Sequence, residues 1–147
     1  RGRRTVNGKI QLRVPKDVIK AKCAPFLRRG KPAHLPQLMS CTPFDIISTY
    51  GAQYRGVVQY YLPAGDVYRL DRLKGVMLTS MLKTLAARHR SGVTAMANKY
   101  KTVIRTPSGP RRCFEAKVER EGRKPLIARF GGIPLTRQRK AVINDLP

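Results

Sequence analysis

The residues that could do chemistry are concentrated in one stretch, SMLKTLAARHRSGVTAMANKY, Ser80 to Tyr100, where Lys83, Arg88, His89, Arg90 and Lys99 occur without a single acid and Lys101 follows at once. A solvated helix face usually alternates sign, because like charges on neighbouring turns cost a few tenths of a kcal/mol each. Unrelieved positive charge therefore points to phosphate as the compensating partner. The other reactive side chains assemble nothing comparable. Asp66 reads as a helix cap and Asp71 as a surface residue, not as a metal-binding carboxylate pair, and no Ser/His/Asp spacing, Walker loop or HNH pattern can be built. Gly131 and Gly132 read as a turn. Cys23, Cys41 and Cys113 are widely spaced, with no CxxC pair and with His34 and His89 as the two histidines, so they read as reduced thiols of a cytosol-like compartment. The expectation is a chain with no catalytic residue, no metal site and no cofactor of its own.

Whole-chain charge agrees with a polyanionic partner. Lys and Arg number 31 against 8 Asp and Glu, a formal charge of +23 in 147 residues with a pI near 11.1. Hydrophobic residues still make up 41%, enough for a core, which sets the chain apart from a disordered basic tail. The charge sits in the flanks. Residues 1–33 hold 11 Lys/Arg, residues 34–82 hold four, and residues 83–147 hold 16. No apolar run is long enough to cross a membrane, and RGRR at the start is not followed by a signal-peptide core. A first residue other than Met leads to the expectation that Arg1 is not the natural start.

The elements that must position these cations are mainly helical. KIQLRV predicts a short strand with Ile10, Leu12 and Val14 on one face, then a helix opened by Pro15 and interrupted near Pro25; RRGKPAHLP breaks regular structure. Thr42, Pro43 and Asp45 predict the start of a helix whose stripe is Ile46, Ile47, Tyr50, Tyr54, Val57, Val58 and Tyr61. On that stripe Tyr50, Tyr54 and Tyr61 are core residues, whereas Tyr60 is offset and exposed. Asp66 is expected to cap a second helix carrying Leu70, Leu73, Met77, Met81 and Leu85. Ser91 is expected to cap a third, with Val93, Met96, Ala97 and Tyr100 inward. Residues 111–130 alternate and predict a hairpin, followed by a loop and a short basic helix. The expected fold is mainly α: a three-helix, thumb-like bundle over 34–105, a basic lead-in over 1–33, and a small basic C-terminal hairpin segment over 106–147.

YRGVVQYYLPAGDVYRLDRLKGVMLTSMLKTLAARHRSGV resembles the signature of the maturase domain, also called domain X, of reverse transcriptases encoded by group II introns. In that family an RG..nYY helix precedes a helix ending in S.lkTLa.Khk.s. Arg55, Gly56, Tyr60 and Tyr61 match the first, and Ser80 to Leu85, Ala86, Arg88, His89, Arg90 and Ser91 match the second, with Arg88 and Arg90 standing where Lys is common. GKIQLRVPKDVI, GKPAHLP, TPSGPRRCFEAKVEREGRKPL and FGGIPLTRQRKA also look like family sequence. The resemblance implies a helical thumb that binds group II intron RNA and favours its splicing-competent fold. It implies as further partners a template-primer duplex in the whole protein and a polymerase domain in cis or in trans, in a bacterial cytoplasm or an organelle of bacterial descent. Motif and basic face together give the RNA-contact set Arg55, Tyr60, Lys83, Thr84, Arg88, His89, Arg90, Ser91, Lys99, Lys101, Arg111 and Arg112. A small ribosomal or other structural RNA-binding protein would share the composition; the Ser80 to Ser91 motif separates the two.

Overall fold

A computed structural model describes residues 13–135. Residues 9–12 of the predicted strand and the predicted basic helix after residue 135 lie outside that range, and Arg13 and Val14 form no strand. The chain opens with α1 (Lys16–Cys23), whose helix stops in a 3-10 turn at Ala24–Phe26, where Pro25 supplies no amide. A two-residue hairpin follows, β1 (Leu27–Arg28) and β2 (Lys31–Pro32). Then come α2 (Pro43–Tyr61), α3 (Asp71–His89) and α4 (Val93–Tyr100).

The start of α2 forms as its sequence dictates: Thr42 Oγ1 accepts from Asp45 N at 3.1 Å, Pro43 occupies the first turn, and Asp45 faces the helix dipole. Tyr50 and Tyr54 are buried and Tyr61 half-buried, so all three are packing residues, while Tyr60 is 70% exposed. The other two caps differ from expectation. Asp66 does not cap: a 3-10 turn, Val67–Leu70, intervenes before α3, and the Asp66 carboxylate instead accepts Val14 N at 2.8 Å and lies 3.7 Å from Arg69 Nε. Gly92, not Ser91, is the N-cap of α4, and Val93 faces outward while Met96 is buried.

The mainly helical bundle with a small hairpin is overturned by the second half of the chain. β3 (Lys101–Thr106), β4 (Gly109–Arg120) and β5 (Arg123–Gly131) make a three-stranded antiparallel sheet in the order β3-β4-β5. The predicted hairpin is present as β4–β5, turned at Glu121-Gly122 with Gly122 at φ 71°. What the bundle picture lacked is β3, which starts at the residue after α4 ends, and the role of the sheet as a layer. α2 is sandwiched between that sheet and α3. Phe114 pairs with Phe130 and Ala116 with Ala128 across β4–β5, and Phe130 meets Tyr54 with ring centroids 5.1 Å apart. Gly51 brings the α2 backbone against the carbonyl of Arg129, an approach that no larger residue permits.

α3 is the central helix. Leu73, Met77, Met81 and Leu85 are buried on one side, and Val76, Ser80 and Thr84 are buried about 100° round it. That second side is covered by the strap of residues 32–35, held by polar contacts described below.

Candidate nucleic-acid interface

The Ser80–Thr84 motif faces inward. Ser80 Oγ donates to Ala33 O at 2.6 Å and lies 2.7 Å from the Tyr50 hydroxyl. Thr84 Oγ1 donates to Ser80 O at 2.8 Å, accepts Leu35 N at 3.0 Å and lies 3.1 Å from the Tyr50 hydroxyl. Lys83, one residue away, donates from Nζ to Pro32 O at 2.7 Å. Every one of these buried groups is satisfied, which the low-dielectric interior requires. Burial pushes the Tyr50 phenol up, and the hydrogen bonds to Ser80 and Thr84 partly offset the shift. Thr84, expected to touch RNA, is 0% exposed with its oxygen fully engaged, so its position is internal. The half-buried Lys83 is turned to the strap.

Arg88, His89, Arg90, Ser91, Lys99 and Lys101 come together at the far end of α3. Arg90 terminates the helix in the left-handed conformation, φ 50° and ψ 51°, and Ser91 N reaches back to Ala86 O at 2.9 Å, closing a Schellman-type cap. His89 Nε2 lies 3.1 Å from the Tyr100 hydroxyl, the two rings stack at 6.3 Å, and Lys99 Nζ sits 5.5 Å from the Tyr100 ring centre. Burial, then Lys99 and Arg88, lower the His89 pKa. The folded value thus lies below the unfolded one, and His89 costs stability as pH falls below about 6.5. The thermal midpoint of the wild-type chain is expected to drop more than that of His89→Gln between pH 7 and pH 5. Parallel curves for the two proteins would show that His89 is not protected from protons.

The sheet separates the remaining cations by its pleat. Lys101, Val103 and Arg105 are exposed and alternate with half-buried Thr102, Ile104 and Thr106. Arg112 stands directly opposite Val103 and is exposed; Arg111 stands opposite Ile104, on the other face, where its Nε is buried without a hydrogen-bond partner among the described residues. Arg111 and Arg112 therefore serve different surfaces. Of the two acids of β4, Glu115 and the exposed Glu119, the half-buried Glu115 is on Arg111's side: it accepts from Arg129 Nε at 2.8 Å and lies 3.9 Å from Lys117 Nζ. The face bearing Lys101, Arg105 and Arg112 keeps its positive charge around Val103, which is 61% exposed. Arg105 was absent from the expected set, although the i, i+2, i+4 spacing of Lys101, Val103 and Arg105 is a period-two signal.

Arg55 and Tyr60 stand apart on α2. Arg55 is half-buried, and Tyr60 packs edge-on to Tyr61 at 4.8 Å beside an open groove of about 710 Å³ that also takes in Phe26 and Met77. No three His, Cys, Asp or Glu side chains gather to hold a metal among the described residues. The cysteines are unpaired, and burial pushes the Cys113 thiol up to about 11, which leaves it a poor nucleophile. No described helix is long and apolar enough to cross a membrane.

A helix-and-sheet domain with exposed cations at the end of α3 and on β3–β4, and a motif helix locked to an N-terminal strap, is the kind of molecule these contacts define. Its sequence matches the type II intron maturase family over residues 9–119, and the chain belongs to that family. It is 27% identical over 110 residues to the group II intron-encoded protein LtrA of Lactococcus lactis subsp. cremoris, and equally to that of strain MG1363. The alignment covers 67% of this chain and 18% of LtrA, so the chain spans less than a fifth of the relatives it matches.

Proposed function

We propose that this chain binds group II intron RNA and holds it in its splicing-competent fold, using the surface made by the end of α3, by α4 and by the β3–β4 face. The observation that carries this reading is the sorting of charge across the sheet: Glu115 is paired on one face, while Lys101, Arg105 and Arg112 surround an exposed Val103 on the other. Cations on a sheet suit an RNA backbone, and an apolar side chain among them suits ribose or an unstacked base. Splicing chemistry belongs to the RNA. The protein acts by differential affinity, shifting the RNA toward the compact state it binds more tightly. In a longer parent, with a polymerase domain in cis or in trans, the same domain would grip template and primer. Its compartment would be the bacterial cytoplasm or an organelle of bacterial descent.

A salt titration against a group II intron transcript tests the reading. With about six phosphates neutralised, log K is expected to fall with log salt at a slope of roughly −4 to −5. Changing Lys101, Arg105 and Arg112 together to Ala should weaken binding about tenfold or more at moderate salt and flatten the slope by about 2. A triple variant that is folded and keeps both affinity and slope would remove this face from the interface.

A further inference from the structure

The strap held by Ser80, Lys83 and Thr84 is the return arm of the β1–β2 hairpin. Leu27 pairs with Pro32 and Arg28 with Lys31, and Ala33 N donates to Phe26 O at 2.9 Å, so the motif contacts at Pro32, Ala33 and Leu35 fix where the turn points. The turn itself is Arg29-Gly30, with φ of 54° and 77°. Positive φ at both central residues is the requirement of a type I′ turn, whose usual occupants are Asn-Gly or Gly-Gly. Gly30 meets it without strain. Arg29 does not, since its side chain lacks the local hydrogen bonding that lets Asn tolerate this region. Among the described residues, the non-glycine residues with positive φ are Arg29 and Arg90; both are exposed arginines at the end of an element. Arg90 closes a helix cap, whereas no such contact among the described residues accounts for an arginine at the exposed Arg29 tip, and its charge is what the tip offers.

The charge around the tip agrees. Arg28, Arg29 and Lys31 are exposed, and none is ion-paired with a described residue. Behind them Leu27 joins a shallow cavity of about 460 Å³ rimmed by Lys16 and Lys20 of α1 and by Arg69 and Arg72. Sequence position hides this grouping, because Arg69 and Arg72 come from the charge-poor middle of the chain and the rest from the basic lead-in. Cations spread over the hairpin turn, α1, the Val67–Leu70 turn, where Arg69 is also paired to Asp66, and Arg72 at the start of α3 match the repeated charges of a phosphate backbone better than a peptide anchored at one pocket.

We propose that the Arg28–Lys31 turn is a second contact to the RNA backbone, and that Ser80, Lys83 and Thr84 are positioning residues that hold this turn in place. The proposal rests on the RNA-binding reading above but uses residues separate from the β3–β4 face. Arg29→Asn supplies the preferred turn dipeptide while deleting the charge. Its thermal midpoint should stay the same or rise by up to about 4 °C. Affinity for the intron transcript should fall about 3- to 10-fold, and the salt slope should flatten by about 1. Arg29→Lys should keep the slope. Ser80→Ala should speed amide exchange across Arg28–Ala33 and weaken RNA binding, and its loss should not add to that of Arg29→Asn. Unchanged affinity and slope in folded Arg29→Asn would overturn the proposal, as would equal losses in Arg29→Lys and Arg29→Asn. Polyglutamate competing as well as oligouridylate for the wild-type chain but not for Arg29→Asn would assign the tip to an acidic polypeptide instead. If Arg29→Asn alone is silent, only the second contact fails; if the wild-type chain shows no salt-dependent affinity for the transcript, the RNA-binding reading itself fails.

Discussion

Gly51→Ala is expected to destabilise the chain by roughly 3 kcal/mol or more, although alanine is the better helix former by about 1 kcal/mol. A Cβ at this position meets the backbone carbonyl of Arg129, and backbone cannot rotate aside as a side chain can. β5 is already paired to β4, so relief requires α2 and the sheet to move apart. That separation would break the Tyr54–Phe130 contact and open the layer on which Phe114, Ala116 and Ala128 pack. Gly56 of the same helix is the control: a Cβ there meets nothing within 4 Å, and Gly56→Ala should stabilise by up to about 1 kcal/mol. Urea denaturation of the two variants measures the contrast. Effects of the same sign and similar size would mean that α2 does not approach β5 this closely.

That contact also marks where sequence reasoning stops. The α2 helix is legible because its signals are local: Thr42, Pro43 and Asp45 act within one turn, and its apolar stripe repeats at threes and fours. Gly51 looks like any helical glycine until β5, nearly eighty residues later, is placed beside it. Ser80 and Thr84 pose the same difficulty. Their partners Ala33 and Leu35 are 47 and 49 residues away, so Thr84 reads as an RNA contact in a basic motif when it fastens a strap together with Ser80. The motif was recognisable, and its residues fall into two groups that its spelling does not separate: Ser80, Lys83 and Thr84 turned to the strap, and Arg88, His89 and Arg90 around the helix end. β3 escaped for a different reason. KTVIRT follows Tyr100 with no Gly or Pro between, so nothing announced the change from period 3.6 to period two, and Lys101 was assigned to a helix face.

The neighbouring buried positions Thr84 and Leu85 are expected to separate the two kinds of interior around α3. Both are 0% exposed. Leu85 belongs to the apolar core, and Leu85→Asp would bury a carboxylate at a fully enclosed position, while also losing the volume of the leucine. The carboxylate would be driven toward its protonated form, and the combined loss is expected to be about 5 kcal/mol, within reach of the whole stability of a domain this size. Circular dichroism should show the helical signal largely lost at 37 °C. Thr84→Val keeps the shape and removes the oxygen, leaving Leu35 N without its acceptor and the Tyr50 hydroxyl with Ser80 as its remaining partner. That is expected to cost about 2 kcal/mol, so the variant should stay folded while the 32–35 strap exchanges its amides faster. A folded Leu85→Asp with a native-like melting curve would mean that this side of α3 is not the core. A Thr84→Val variant as damaged as Leu85→Asp would mean that the strap, not the apolar stripe, holds the helices together.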